Sequence, residues 1–212
     1  MQPFLTARRW AKRVVPQKLH PVMFSLRRQR ARSQRREEEL GAYVTAILTE
    51  TPHGKLLVPA SDVEVGWKLA HEGRYGLEQL KILQEGLRPT SRVLVVGAHI
   101  GALLVPLARK VAAVVGIEAN PDTFRLLEMN VCLNDLSNVE LHNLAAGDSR
   151  GMARFLMHKC NTGGSTVVRG NLDANAPAVL VEHPRVVKVE QHSLDEVVSD
   201  HHFDLIIMDV EG

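Results

Sequence analysis

Cysteine is scarce: Cys132 and Cys160 are the two in 212 residues. Two such positions offer neither metal-ligand spacing nor a paired framework, so a reducing compartment and ordinary packing are expected rather than a disulfide. Aromatic residues make up only 4% of the chain. The first 36 residues hold Phe4, Trp10 and Phe24 alone, too few to stack bases, which counts against nucleic acid as a partner. No run of eighteen apolar residues is free of charge, because Arg109 and Lys110 break the longest candidate. A membrane span is therefore not expected, and the chain reads as soluble and cytoplasmic. His142, His192, His201 and His202 have no ligand spacing and the acids do not group, so no metal is expected either.

Acidic side chains are absent from residues 1–36, which carry eleven Lys and Arg. The remainder holds 15 bases against 24 acids, so a net charge of +2 conceals a basic arm on an acidic body. Such an arm suits three roles: a solvated and partly helical extension, a segment lying on an anionic membrane surface or a partner, and an organellar address. The membrane role would make the protein membrane-peripheral. With 45% hydrophobic residues the chain can bury one substantial core. We divide it into a basic N-terminal extension (residues 1–40), a segment of hairpin and helices (41–91) and a cofactor-binding domain (92–212).

The stretch from Arg92 to Gly101, RVLVVGAHIG, is answered seventeen residues later by Glu118, which closes a second apolar run. Val93 to Val96 form a β-branched run fit for a strand buried on both faces, Gly97 and Gly101 bound a tight turn, and Ile100 to Lys110 carry helical spacing. Val111 to Ile117 make a second buried strand. Glu118 falls at its carboxyl end, where open parallel sheets hold ligands and a carboxylate can accept both hydroxyls of a ribose. A dinucleotide fingerprint needs glycines at 97, 99 and 102, but His99 and Ala102 stand at two of them; a phosphate-binding Gly-Lys-Ser/Thr is also missing. A nucleoside cofactor without phosphates fits better, with a nicotinamide cofactor as the rival.

Around this centre the elements follow from local signals. Ala42 to Thr49 and Lys55 to Val58 read as a hairpin turning at Pro52-His53-Gly54. Ser61-Asp-Val-Glu64 has capping-box spacing and opens a helix from about Asp62 to His71, ending near Gly73. Gly76 to Leu87 form the next helix, and Arg88 to Ser91 a linker. Asn120-Pro121 pairs a cap with proline at the first helical position of a helix reaching about Leu133. Val139 to Asn143 give a third strand and Phe203 to Met208 a fourth. Between them, Ala153–Met157 and Thr166–Arg169 suggest a hairpin around Asn161–Ser165, and Arg185–Glu190 a further strand.

Residues 93–148, together with His53–Asp62, Leu194-Asp195 and Ile207–Gly212, resemble the FkbM family of S-adenosylmethionine-dependent methyltransferases over roughly residues 42–212. The resemblance implies an α/β fold with a Rossmann-like class I methyltransferase sheet of order 3-2-1-4-5-7-6, of which this sequence holds strands 1 to 4. On that footing the chain reads as a truncated member, with Leu205 to Met208 left as an open apolar edge. The implied cofactor is S-adenosyl-L-methionine, held by Gly97, Ala98, His99, Gly101, Glu118, Ala119, Asn120, Ala145 and Asp209. Asp209, and after it Glu211, would be the catalytic carboxylates. Val95 stands where the family has an acid, and His99 where it has a small or amide residue, so the glycine corner inherits backbone roles only. The activity implied is O-methylation of a hydroxyl on a sugar, glycan or other small-molecule natural product. A noncatalytic scaffold that binds partners through the arm, and a nicotinamide-dependent oxidoreductase, are the alternatives. Oligomeric state has no signature in the sequence.

Overall fold

The computed structural model describes residues 20–168, 185–199 and 202–211. The N-terminal part contains α1 (His20–Leu40), the hairpin β1 (Ala46–Thr51) and β2 (Gly54–Pro59), α2 (Val65–Glu72) and α3 (Leu77–Glu85). Then come β3 (Arg92–Val96), α4 (Leu104–Ala108), β4 (Ala113–Ile117), α5 (Pro121–Leu133), β5 (Val139–His142) and β6 (Ala145–Ala146). The last group is β7 (Gly151–Met157), β8 (Thr166–Val167), β9 (Arg185–His192), α6 (Leu194–Val197) and β10 (Leu205–Met208). Arg169 and His201, as well as the part of the arm before His20, lie outside the described residues.

Side chains alternate across a strand, and here both faces of the central strands are apolar. Val93, Val95 and Val114 pack with Ile100, Leu104, Leu107 and Leu127 on one face. Leu94, Val96, Val115 and Ile117 pack with Leu144, Leu194 and Phe203 on the other. The result is an all-parallel sheet in the order β10-β3-β4-β5, with β3 and β4 at its centre. The expected α/β, Rossmann-like architecture is thus present, and its four strands stand in the expected relative order. At the rim, β10 leaves Ile206 and Met208 more than half exposed, as an apolar edge. A second sheet, β6-β9-β7-β8, has β7 antiparallel to both β8 and β9, and its core of Ala145, Phe155 and Val189 packs against Ala119 just after β4.

Several boundaries differ from the sequence reading for identifiable reasons. β1 begins at Ala46 rather than Ala42, because Gly41 takes φ +97° and the Val44 N–H bonds back to its carbonyl. The helix expected over Ile100–Lys110 shrinks to Leu104–Ala108. Residues 98–101 are used in a turn, with the Gly101 N–H on the Ala98 carbonyl. Pro106 has no N–H for the carbonyl of Ala102, four residues earlier. That carbonyl instead accepts Nδ1–H of His53 at 2.7 Å, and His53 Nε2 accepts the Tyr75 N–H at 3.1 Å. The capping box also fails: the Ser61 hydroxyl donates to the Lys159 carbonyl, and Asp62 Oδ1 takes the N–H groups of Glu64 and Gly66. By contrast α5 starts as expected, with Asn120 accepting the Asp122 N–H and Pro121 following.

The hairpin is joined to the domain by two amides on one face of α5. Asn130 Oδ1 accepts the Leu57 N–H while its Nδ2 donates to the carbonyls of Leu57 and Ile100. One turn on, Asn134 does the same for Lys55, accepting its N–H and donating to its carbonyl. Residues 55 and 57 face the same edge of β2, so the two asparagines take the place of a neighbouring strand. α1 docks as well: Arg36 donates to the Asp62 carbonyl, Arg32 lies 5.2 Å over the Trp67 ring, and Glu37 pairs with Lys159. Where a solvated extension was one expectation, this part of the helix is therefore packed against α2. Among the described residues no helix is long and apolar enough to cross a membrane.

Two outcomes follow from these contacts. Asn130 is fully buried and satisfies three backbone groups, so Asn130→Ala should cost about 2–3 kcal/mol in urea denaturation. His53 is held neutral: burial pushes its pKa below the ordinary value, opposed by the bond to Ala102. The unfolded chain therefore binds a proton near pH ~6.5 that the folded chain still refuses. Stability from this group is complete above that pH and is lost as pH falls toward the lowered folded value. Thermal melts between pH 7 and 5 should fall more steeply for the native protein than for His53→Asn.

Candidate functional site

A cavity of about 460 Å3 opens at the carboxyl ends of β3, β4 and β10. Its floor is the corner Gly97-Ala98-His99. The N–H groups of Gly97 and Ala98 both donate to the Ile117 carbonyl at 2.9 Å, which folds the loop across the end of β4. Gly97 takes φ +84°, and a Cβ placed on it would stand 2.0 Å from the Asp209 carbonyl oxygen. Only glycine lets β3 turn this close to the exit of β10. His99 holds a left-handed φ of +52° without being glycine, fixed by bonds at both ends of the residue. Its N–H donates to Glu118 Oε2 at 2.7 Å and its Nε2 meets the Thr162 hydroxyl at 2.7 Å.

Glu118 is 7% exposed and stands beside that corner. Its Oε1 accepts the Asn120 N–H and the Thr123 hydroxyl, at 2.8 and 3.1 Å. With Oε2 engaged by His99, one of its roughly four acceptor positions is left, on Oε2. Ala119, Ala145, Ala146 and Phe155 form the adjoining wall, and the loop Asn161–Ser165 covers it. Across the cavity stand Gln29, Glu64, Lys68 and Tyr75 from α1, α2 and the turn before α3, with Asp209 and Glu211 from the exit of β10.

Of the residues singled out in the sequence, Gly97, Ala98, His99, Glu118, Ala119, Ala145, Asp209 and Glu211 all line this one cavity. Gly101 and Asn120 do not. Gly101 takes φ +90° behind the floor, where a Cβ would press on Leu127, and Asn120 is buried, capping α5 and donating to the Ser165 hydroxyl. They support the wall from outside. Val95 packs in the core and also lines the cavity, placing an apolar side chain there.

Sequence reasoning missed the opposite wall and the clasp above the floor. Tyr75 belongs to the first: burial, then the charges of Asp209, Asp62 and Glu64, push its pKa above the ordinary value and keep its hydroxyl protonated. Asp62 and Thr162 form the clasp, the Thr162 hydroxyl bonding to Asp62 Oδ2. Asp62 had a visible role only as the neighbour of a capping serine, and Thr162 had no signal of its own. The cavity gathers four carboxylates (Glu64, Glu118, Asp209, Glu211) against one lysine, so its field favours a cation. Among the described residues no group of three or more His, Cys, Asp or Glu is placed to hold a metal.

Residues 96–212 match the methyltransferase FkbM domain. No curated protein matches the chain. Among solved structures, TYW2 of M. jannaschii, in complex with AdoMet, is 23% identical with a TM-score of 0.40, covering 48% of this chain and 43% of its own. Trm5b of Pyrococcus abyssi is 24% identical with a TM-score of 0.38, covering 48% and 28%. The M. jannaschii tRNA m1G37 methyltransferase is 19% identical with a TM-score of 0.39, covering 52% and 34%. The chain thus spans less than half the length of each of these structures.

The floor carries its own check. Gly97→Ala places a methyl where the Asp209 carbonyl stands, at a φ that L residues avoid, and should lower stability by about 3 kcal/mol or more. Denaturation in urea measures it.

Proposed function

This chain belongs to the FkbM methyltransferase domain family, and from that membership we propose that it transfers a methyl group to a hydroxyl in the cavity above Gly97. The family's cofactor is S-adenosyl-L-methionine, which supplies an electrophilic methyl on a positively charged sulfur. Three features of this chain suit it. The volume of about 460 Å3 falls in the range of small-molecule sites. The glycine corner brings the end of β3 and the exit of β10 together at the floor, and the excess of carboxylates suits a cationic donor.

In this reading Glu118 offers its remaining Oε2 position to a ribose hydroxyl, and Ala119, Ala145 and Phe155 bound the flat base. Gly97, Ala98 and His99 contribute backbone surface, while Gly101 and Asn120 hold that surface in place. Asp209 stands where strand β10 leaves the sheet, beside the floor. It would orient the donor and accept the proton of the acceptor hydroxyl; the bound cofactor would supply the methyl, its sulfur–methyl bond breaking to leave a neutral thioether as the carbon–oxygen bond forms. Glu211 is the second carboxylate at that exit. The acceptor enters between Tyr75, Lys68, Glu64 and Gln29. Over the whole cavity four carboxylates outnumber the single lysine, which suits an uncharged polyol such as a sugar, a glycan or a hydroxylated natural product, and disfavours a phosphate-bearing acceptor. We extend the proposal to the basic N-terminal segment, which would hold the protein at an anionic membrane surface from the cytoplasmic side.

The observation that carries this reading is the buried Glu118 carboxylate, bonded to the loop that forms the floor, with an acceptor position open beside the cavity. Calorimetry with S-adenosylmethionine and, separately, NADH tests it. Binding of the sulfonium and not of NADH is expected. Glu118→Gln keeps one oxygen for Asn120 and Thr123 and should weaken cofactor binding by about 1.5–3 kcal/mol. Heat with NADH alone, or an unchanged affinity in the variant, would overturn the assignment.

A further inference from the structure

We propose that Asp62 is a positioning residue for the cofactor, holding the loop Asn161–Ser165 over the glycine corner through the Thr162 hydroxyl. The inference rests on the methyltransferase reading and adds to it a residue outside the family match, which begins at residue 96.

Asp62 is fully buried, and a carboxylate in that position is tolerable only when its acceptors are filled. The two oxygens divide the work. Oδ1 accepts the N–H groups of Glu64 and Gly66, at 2.8 and 3.1 Å, and so caps α2. Oδ2 accepts the Thr162 N–H at 2.9 Å and the Thr162 hydroxyl, one hundred residues along the chain. Arg36 donates to the carbonyl of the same residue, setting a cation beside the carboxylate. Two further bonds tie the segments together: Val63 N–H to the Cys160 carbonyl, and the Ser61 hydroxyl to the Lys159 carbonyl.

Proton bookkeeping then sets the direction of the whole chain of bonds. An ionised carboxylate only accepts, so the single hydroxyl proton of Thr162 points to Asp62. Its oxygen must therefore receive the proton of His99 Nε2, which fixes the histidine tautomer. The His99 N–H in turn donates to Glu118 Oε2. Two buried carboxylates thus stand at the ends of one path, Asp62–Thr162–His99–Glu118, with donors between them. The path holds His99 at its left-handed φ, keeps the covering loop against the corner and sets the direction in which the last acceptor position of Glu118 points. A wall fixed before binding spares the cofactor the cost of ordering it.

Binding of S-adenosylhomocysteine, followed by calorimetry alongside thermal melts, separates the outcomes. Thr162→Val removes the hydroxyl but keeps its backbone bond. Asp62→Asn keeps an oxygen for the cap of α2 and loses the acceptor facing Thr162. Each should weaken binding roughly tenfold, ~1.4 kcal/mol, while Thr162→Ser, which restores the hydroxyl, should regain most of the affinity. Amide exchange at residues 159–165 should be slowed by the ligand in the native protein and in Thr162→Ser, and not in Thr162→Val. If the native protein binds and Thr162→Val binds equally well, or if Ser fails to rescue, the positioning role is overturned. If a variant is unfolded, the other two still decide it. If the native protein does not bind at all, the methyltransferase reading itself fails.

Discussion

The carboxylate of Glu118 is the point on which the site depends. It follows β4, a strand buried from Val114 to Ile117, and it holds the His99 N–H of the glycine corner with one oxygen and the start of α5 with the other. A loop between a parallel strand and its helix has no strand partner of its own, so its backbone donors need acceptors from elsewhere. Glu118 supplies one, and the Ile117 carbonyl just before it supplies two. The same few atoms therefore shape the corner and leave a single acceptor position on the cavity side.

A second constraint comes from chain that a Rossmann-like sheet does not itself require. The hairpin is attached through Asn130 and Asn134, and its turn residue His53 takes the carbonyl freed by Pro106. These bonds place α2 and Tyr75 across the cavity from Glu118. One part of the site's wall, Glu64, Val65, Lys68 and Tyr75, thus comes from residues before β3, and the docking of α1 adds Gln29 to it. This assembly brings Glu64, just before α2, to the cavity, where it joins Glu118 after β4 and Asp209 and Glu211 after β10.

Much of the frame was legible before any coordinates. The buried strands showed as β-branched runs, and the Asn120-Pro121 start of α5 is a local signal that the structure reproduces. The failures share a cause. Ser61 has the right spacing for a cap, but its hydroxyl finds the Lys159 carbonyl and Asp62 takes over, a choice that only a distant segment decides. Ile100 to Lys110 has helical periodicity, yet its first residues are needed for the corner and His53 draws away the carbonyl of Ala102.

What the sequence determined alone is whatever depends on neighbours along the chain: strands from branched apolar runs, a corner from Gly97, a helix start from Asn120 and Pro121, and a carboxylate at a strand end. What the tertiary structure decided is which polar groups would meet. Asp62 and Thr162 lie one hundred residues apart, and nothing in either segment names the other. Burial leaves a carboxylate no solvent to turn to, so its partners are set by whichever donors the packed core brings within reach, and that is a property of the whole fold.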